Sequence, residues 1–158
     1  MHGPEVIDLC RTYSLFEWGT QEVNPLAIDR GEGCYLYTMD GRQILDFNSI
    51  AMNVNIGHGD QRVTEAVARQ MRKVSFVSPF MVTEVRAEVA RKLAEITPPG
   101  LTKSFFTLAG SDANEAAIRT ARLVTGRKKI LSRYRSYHGA THQVLALSGD
   151  PRREPVEG

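Results

Sequence analysis

The sequence predicts an α/β fold, and the prediction depends on a strand–helix–strand run in the second half of the chain. Residues 104–108 have the apolar and aromatic composition of a strand. Residues 114–124 follow with small side chains at helical spacing, which allow close packing against a sheet. Residues 128–132 then have the pattern of a second strand. This order is typical of a βαβ unit.

The turn between the first of these strands and the helix is a candidate phosphate site. Gly110 permits a turn in which a side chain would clash, and we expect Ser111 to be the N-cap of the helix. The unpaired N–H groups of a helix N-terminus attract phosphate. An ordinary strand–turn–helix joint is the alternative, because Gly and Ser are common there. The spacings of P-loops and of dinucleotide-binding glycine motifs are both absent.

Two residues after the second strand are expected at the same edge of the sheet. Tyr137 and His138 follow residues 128–132, and ligands of α/β sheets bind at the carboxyl ends of strands. We therefore expect these side chains to lie near Ser111. An aromatic ring beside a phosphate held by a helix suits a flat, phosphorylated cofactor.

The composition argues against several classes of protein. The 158 residues carry a net charge of +2 with scattered Arg and Lys, which gives no case for a nucleic-acid partner. No apolar run could span a membrane and no signal peptide is visible. Cys10 and Cys34 fit free thiols of a cytoplasmic protein better than a disulfide framework. We expect no metal site, because no His, Cys and acidic residues have metal-ligand spacing.

The N-terminal part of the chain is predicted to be an arm followed by a small sheet. Tyr13, Phe16 and Trp18 lie close together without a clear period. Packing over a core is the favoured interpretation, and an aromatic wall of a pocket or subunit interface is the alternative. An antiparallel meander follows, because three short strand patterns occur and Asp-Gly joins the last two. The patterns lie at residues 26–28, 34–38 and 43–47.

A loop at residues 48–59 precedes two helices, and its asparagines, glycines and apolar residues are typical of loops that carry function. His58 could be a base or a ligand there, but a hydrogen bond to the backbone that fixes the loop is favoured. Helices are predicted over residues 60–73 and 83–96 from their apolar periodicity. We divide the chain into an N-terminal arm and small lobe, residues 1–59, and the incomplete first part of a large α/β domain, residues 60–158.

Several motifs occur in a fixed order along the chain. They are residues 33–42, residues 45–47, Ile56-Gly57-His58-Gly59, Ala109-Gly110-Ser111-Asp112-Ala113-Asn114-Glu115-Ala116-Ala117 and Tyr137-His138-Gly139. Together they resemble class III aminotransferases, the ω-aminotransferase branch of the fold-type-I enzymes that use pyridoxal 5′-phosphate. The resemblance covers residues 24–149. It implies the fold-type-I architecture, with a small-lobe meander and the beginning of the large-domain mixed sheet.

The resemblance also implies which residues contact the cofactor. The turn at 110–112 would hold the phosphate of pyridoxal phosphate, Tyr137 would stack on its pyridine ring, and the two residues after Tyr137 would shape the pocket. The full set is Gly110, Ser111, Asp112, Tyr137, His138 and Gly139.

Three further residues are implied at the substrate side. Ile50 and Met52 would line the substrate pocket, where Met52 provides an adaptable apolar wall. Phe80 would approach the active site of the partner subunit, because the family resembled here forms homodimers with shared active sites.

The reaction implied by the resemblance is transamination. An amino group would pass from an amino acid or ω-amine to a 2-oxo acid such as pyruvate or 2-oxoglutarate. An aminomutase or racemase reaction of the same branch is the alternative, and a truncated, non-catalytic chain that only pairs with a partner is another. No lysine lies in the family's Schiff-base motif, so we expect that lysine beyond Gly158 and no transamination by this chain alone. The lysines are Lys73, Lys92, Lys103, Lys128 and Lys129.

Overall fold

The computed structural model describes residues 1–16, 20–149 and 151–156, in two compact units, residues 1–78 and 79–158. The first unit contains helix α1 (Gly3–Tyr13), strands β1 (Ile28–Glu32), β2 (Tyr35–Thr38) and β3 (Gln43–Leu45), the short helical turn α2 (Ser49–Met52) and helix α3 (Gln61–Lys73). The second contains α4 (Glu84–Ile96), α5 (Gly110–Thr125), α6 (His142–Leu147) and a 3-10 helix (Pro151–Val156). The division of the chain at residue 59 stays a prediction.

The predicted meander is confirmed, with one shift in position. Strands β1, β2 and β3 form an antiparallel sheet in that order. The first strand begins at Ile28 and continues through Gly31, and Gly33 makes the turn with a φ of 56°. The Asp-Gly hairpin is closed by Thr38, whose amide donates to the carbonyl of Arg42 at 2.9 Å.

The two predicted amphipathic helices are also confirmed. Asp60 is the N-cap of α3, and its Oδ1 accepts a hydrogen bond from the amide of Arg62 at 2.9 Å. The guanidinium of Arg62 binds the same carboxylate and lowers the pKa of Asp60 to about 2. Thr83 is the N-cap of α4. Within the described residues, no helix has both the length and the apolar character needed to cross a membrane.

Two helices lie where the sequence showed no clear period. Helix α1 begins after His2, whose Nδ1 accepts a hydrogen bond from the amide of Glu5 at 3.2 Å. Tyr13 at its end is exposed, so the expected burial of this side chain is wrong, and Trp18 lies outside the described residues. Helix α6 has only six residues, too few for a periodic signal. It carries the buried Val144.

The two strands predicted on either side of α5 do not form among the described residues. Residues 104–108 and 128–132 make no β-ladder, and a single parallel bridge, between Tyr134 and Gly149, follows them. A strand exists only with a hydrogen-bonded neighbour, and no other described segment pairs with these two. Leu108 and Leu131 are consequently exposed. Only the helix of the predicted βαβ unit is confirmed.

A substitution at the end of α5 tests why this helix ends there. Gly126 has a φ of 69°, and its amide donates to the carbonyl of Arg122 at 2.9 Å. We expect Gly126→Ala to lower the free energy of unfolding by about 1–2 kcal/mol, because a Cβ is disfavoured in the left-handed region. Gly126→Asn should cost less, since Asn tolerates this region. Urea unfolding followed by circular dichroism measures both, and an Ala variant as stable as the original contradicts the expectation.

Candidate functional site

The N-terminus of α5 presents unpaired amide groups. Ala109, with extended backbone, is the N-cap and supplies no side-chain hydrogen bond. The expectation that Ser111 is the N-cap is therefore wrong, since Ser111 lies within the first turn. Ala113 donates to the carbonyl of Ala109 at 3.0 Å, whereas no described acceptor pairs with the amides of residues 110–112. Such free N–H groups, with the helix dipole behind them, bind anions.

The loop at residues 137–140 packs directly on this first turn. The amide of Ala140 donates to Ser111 Oγ at 3.2 Å, and Asn114 Nδ2 donates to the carbonyl of His138 at 2.6 Å. Gly139 has a φ of 139°, and a Cβ added there would lie 2.4 Å from Ser111 Oγ. A glycine is required at this contact. The structure thus brings Ser111, His138 and Gly139 together, as expected from the order of the elements, while their roles toward a cofactor stay predictions.

Tyr137 and His138 differ in their surroundings. The guanidinium carbon of Arg152 lies 4.7 Å from the centroid of the Tyr137 ring, and 45% of Tyr137 is exposed. His138 is half-buried, with its Nε2 at 3.2 Å from the hydroxyl of Ser136. Stacking of Tyr137 on a cofactor ring stays a prediction.

Glu115 has a structural role that the sequence motifs did not reveal. Its Oε1 accepts a hydrogen bond from Thr141 Oγ1 and its Oε2 accepts one from Gln143 Nε2, both at 2.7 Å. These hydrogen bonds to Thr141 and then Gln143 keep the pKa of Glu115 below its ordinary value. The carboxylate fastens the start of α6 to α5, and the loop at 137–140 lies in the intervening chain. Glu115 belongs to the motif at residues 109–117, but its two hydrogen-bond partners lie 26 and 28 residues further along the chain, outside that motif.

The predicted substrate-side residues lie on an unusual turn in the first unit. Ser49, Ile50, Ala51 and Met52 have φ values of 53°, 45°, 53° and 67°, so α2 is a left-handed turn of non-glycine residues. Asp46 Oδ1 accepts a hydrogen bond from the amide of Ile50 at 2.9 Å. Ile50 is 45% and Met52 76% exposed. Contact of these side chains with a substrate stays a prediction.

His58 fixes this loop in two ways. Its backbone pairs with Gly33, accepting a hydrogen bond at 3.0 Å and donating one at 2.8 Å. Its Nε2 lies 2.8 Å from Asp46 Oδ2. The amide of Ile50 first, and His58 second, hold the pKa of Asp46 below its ordinary value. The predicted purpose of His58, fixing the loop, is confirmed, and its backbone makes the expected hydrogen bonds to backbone. Its side chain, however, contacts the carboxylate of Asp46.

Phe80 belongs to the second unit, where its side chain is exposed. Its predicted approach to a partner subunit stays a prediction. Among the residues that the structure describes, no group of three or more His, Cys, Asp or Glu side chains could hold a metal ion.

A methyl group at residue 139 should separate the loop from α5. We expect Gly139→Ala to destabilise the chain by about 1–3 kcal/mol, because the new Cβ overlaps Ser111. The amide of Ala140 should then exchange its hydrogen faster. Gly110→Ala is the matched control for stability, since a Cβ there meets no atom within 4 Å. Thermal unfolding and hydrogen exchange measure both effects, and equal behaviour of the two variants would contradict this packing.

The carboxylate of Glu115 should make stability depend on pH in the acid range. Its pKa is lower in the folded chain than its ordinary value of 4.5. Its stabilisation is therefore complete above that ordinary value and is lost as the pH falls through the lower pKa of the folded chain. Urea midpoints between pH 7 and pH 3 should fall less steeply for Glu115→Gln than for the original chain. Parallel curves for the two proteins would show that this carboxylate contributes nothing.

Comparison with known proteins assigns this chain to a family. Residues 18–155 match the family model described as Aminotransferase class-III. The acetylornithine aminotransferase of Archaeoglobus fulgidus is 37% identical over 133 residues, which cover 84% of this chain and 35% of the relative. The isoleucine 2-epimerase of Lentilactobacillus buchneri is 39% identical over 126 residues, 78% of this chain and 28% of the relative.

A solved structure supports the same grouping. The taurine:2-oxoglutarate aminotransferase from Bifidobacterium kashiwanohense, in complex with PLP and glutamate, matches with a TM-score of 0.95 and 35% identity. The match covers 99% of this chain and 35% of that one. The chain therefore spans about a third of the length of the relatives it matches. On the extent of the family match and the similarity in fold, the chain belongs to the class III aminotransferases.

Proposed function

We propose that this chain supplies the phosphate-binding turn and a substrate-side wall of a pyridoxal-phosphate-dependent aminotransferase. The reaction moves an amino group from an amino acid or ω-amine to a 2-oxo acid such as pyruvate or 2-oxoglutarate. One observation carries the proposal: the amides of residues 110–112 are unpaired at the N-terminus of α5, beside the docked loop at 137–140. The B. kashiwanohense relative is described in complex with PLP and glutamate.

The donors at this turn fit a phosphate group. Backbone amides and a helix dipole favour an anion. The hydroxyl of Ser111 accepts a hydrogen bond from Ala140, which leaves its own proton available for a phosphate oxygen. Gly139, without a side chain, keeps the loop close to the turn. Gly110, Ser111 and the Asp112 backbone are therefore the proposed phosphate ligands.

The remaining roles follow from the same proposal. Bound pyridoxal phosphate supplies the electron-withdrawing ring that lets an amino group leave its carbon. Tyr137 would orient that ring by stacking, and His138 and Gly139 would line the pocket beside it. Ile50 and Met52 contact the donor's substituent and exclude water from it.

The complete enzyme requires residues that this chain does not contain. The Schiff-base lysine would lie beyond Gly158, so that these 158 residues alone do not transaminate. Phe80 would lie at a shared active site of a homodimer in the cytoplasm. Phe80, Leu108 and Leu131 are exposed, which supports the proposal that further protein surface packs against the second unit in the complete enzyme. An aminomutase or racemase reaction is less favoured, although the L. buchneri relative is an isoleucine 2-epimerase, because the A. fulgidus and B. kashiwanohense relatives are both aminotransferases.

Binding of pyridoxal 5′-phosphate to the purified chain tests the phosphate site. We expect Ser111→Ala to weaken binding about tenfold, the effect of losing one hydrogen bond to a charged group. Pyridoxal without its phosphate should bind much more weakly than the phosphorylated form. Isothermal titration calorimetry gives both affinities. Thr120→Ala is the matched control, because its hydroxyl on α5 bonds to the carbonyl of Ala116, away from the N-terminus.

Two outcomes would contradict the proposal, one for the phosphate site and one for the position of the reactive lysine. Equal affinity for pyridoxal and its phosphate would remove the phosphate site. Borohydride reduction of the loaded chain, followed by peptide mapping, should attach the cofactor to no single lysine. Stoichiometric attachment at one of Lys73, Lys92, Lys103, Lys128 or Lys129 would show that the reactive lysine lies within these residues.

A further inference from the structure

The turn α2 holds four consecutive non-glycine residues in a backbone conformation that L-residues avoid. Their φ values lie between 45° and 67°. In this region each Cβ approaches the following carbonyl oxygen, and the β-branched Ile50 is the least tolerant of them. Because Ile50 and Met52 are substantially exposed, burial of these side chains does not compensate for the strain. Such strain persists only where the surroundings enforce it, and it concentrates at functional sites.

Three polar side chains enforce the turn by binding its backbone. Asp46 Oδ1 accepts from the amide of Ile50 at 2.9 Å, and Asn48 Oδ1 accepts from the amide of Ala51 at 3.3 Å. Asn53 Nδ2 donates to the carbonyl of Ile50 at 2.7 Å. The amide and the carbonyl of Ile50 are thus both held from outside the turn.

The position of Asp46 is in turn set by His58. The two side chains are 2.8 Å apart, and their exposed fractions are 4% for Asp46 and 14% for His58. The backbone of His58 pairs with Gly33 at the end of β1, and its ring lies against Gly31. A Cβ added to Gly31 would meet Cβ and Cγ of His58 at 2.8 Å. The β-hairpin therefore locates His58, and His58 locates the carboxylate that binds Ile50.

We infer that Asp46 and His58 are positioning residues that hold α2 in its left-handed form before a substrate binds. Through them the hairpin determines where Ile50 and Met52 present their side chains, and so which apolar substituent of an amino donor fits. This inference rests on the proposed function, because only there do Ile50 and Met52 line the substrate side. Neither positioning residue touches the substrate.

Hydrogen exchange of the full 158-residue chain tests the positioning. His58→Phe keeps a ring against Gly31 and removes the contact with Asp46. We expect the amides of Ile50 and Ala51 to exchange about tenfold faster in this variant, with the ladder amides of β2 and β3 unchanged. Gly31→Ala should have the same effect by displacing the ring, whereas Gly3→Ala, where a Cβ has ordinary room, should have none. Unchanged exchange at Ile50 and Ala51 in both the His58 and Gly31 variants overturns the inference.

A second measurement tests the strain and does not require the His58 variant to fold. Ala51→Gly should raise the urea midpoint, because glycine adopts a φ of 53° without a Cβ penalty. The matched control is Ala87→Gly, at an exposed helical position of α4. Glycine is unfavourable in a helix, so this variant should lower the urea midpoint. A lowered midpoint for Ala51→Gly would mean that α2 is not strained and would overturn the inference.

Kinetics of the complete enzyme, loaded with pyridoxal 5′-phosphate, separates this inference from the proposed function. His58→Phe should raise KM for a branched apolar donor about tenfold with little change in kcat, since one wall of the pocket moves and the reacting groups do not. If Met52→Ala alters KM and His58→Phe does not, the positioning role is overturned and the substrate role stands. If Met52→Ala alters nothing, the substrate role fails, and faster exchange at Ile50 still supports the positioning of the turn.

Discussion

The contact between Ser111 and the loop at 137–140 is the interaction on which the second unit depends. The hydroxyl of Ser111 accepts the amide of Ala140, and Gly139 lies so close to Ser111 that a side chain is excluded. Asn114 and Glu115, on the same helix, fasten the chain on either side of this contact. A loop far from α5 in sequence is thereby held at the one end of the helix where amide groups are unpaired.

Both units use polar side chains to hold irregular backbone. Asp46 and Asn48 accept hydrogen bonds from amides of the left-handed turn α2. In the second unit, Ser111 accepts one from the amide of Ala140, and Asn114 donates one to the carbonyl of His138. Backbone outside helices and sheets has no regular partner for its polar groups, so side chains supply the partner. In each unit the backbone held in this way carries the residues proposed to contact the cofactor or the substrate.

The failed strand prediction and the exposed apolar side chains have the same cause. Residues 104–108 and 128–132 have strand composition, but a ladder needs a neighbouring strand, and the described residues provide none. Leu108 and Leu131 therefore have no sheet to pack in. The chain covers about a third of its relatives' length, and composition alone does not reveal which segments are needed to complete a sheet.

The sequence by itself determined the helices with strong periodicity, the antiparallel meander and the turn before α5, because these follow from hydrogen bonds and side-chain patterns within a few residues. Its motifs also indicated the family. Only the tertiary structure decided that Ala109 caps α5, that Ser111 binds the amide of Ala140, and that Asp46 contacts both His58 and the amide of Ile50. The contact of Ser111 with Ala140 joins residues 29 positions apart, and that of Asp46 with His58 joins residues 12 positions apart. A left-handed turn of non-glycine residues contradicts local preference, so no local pattern could have predicted it.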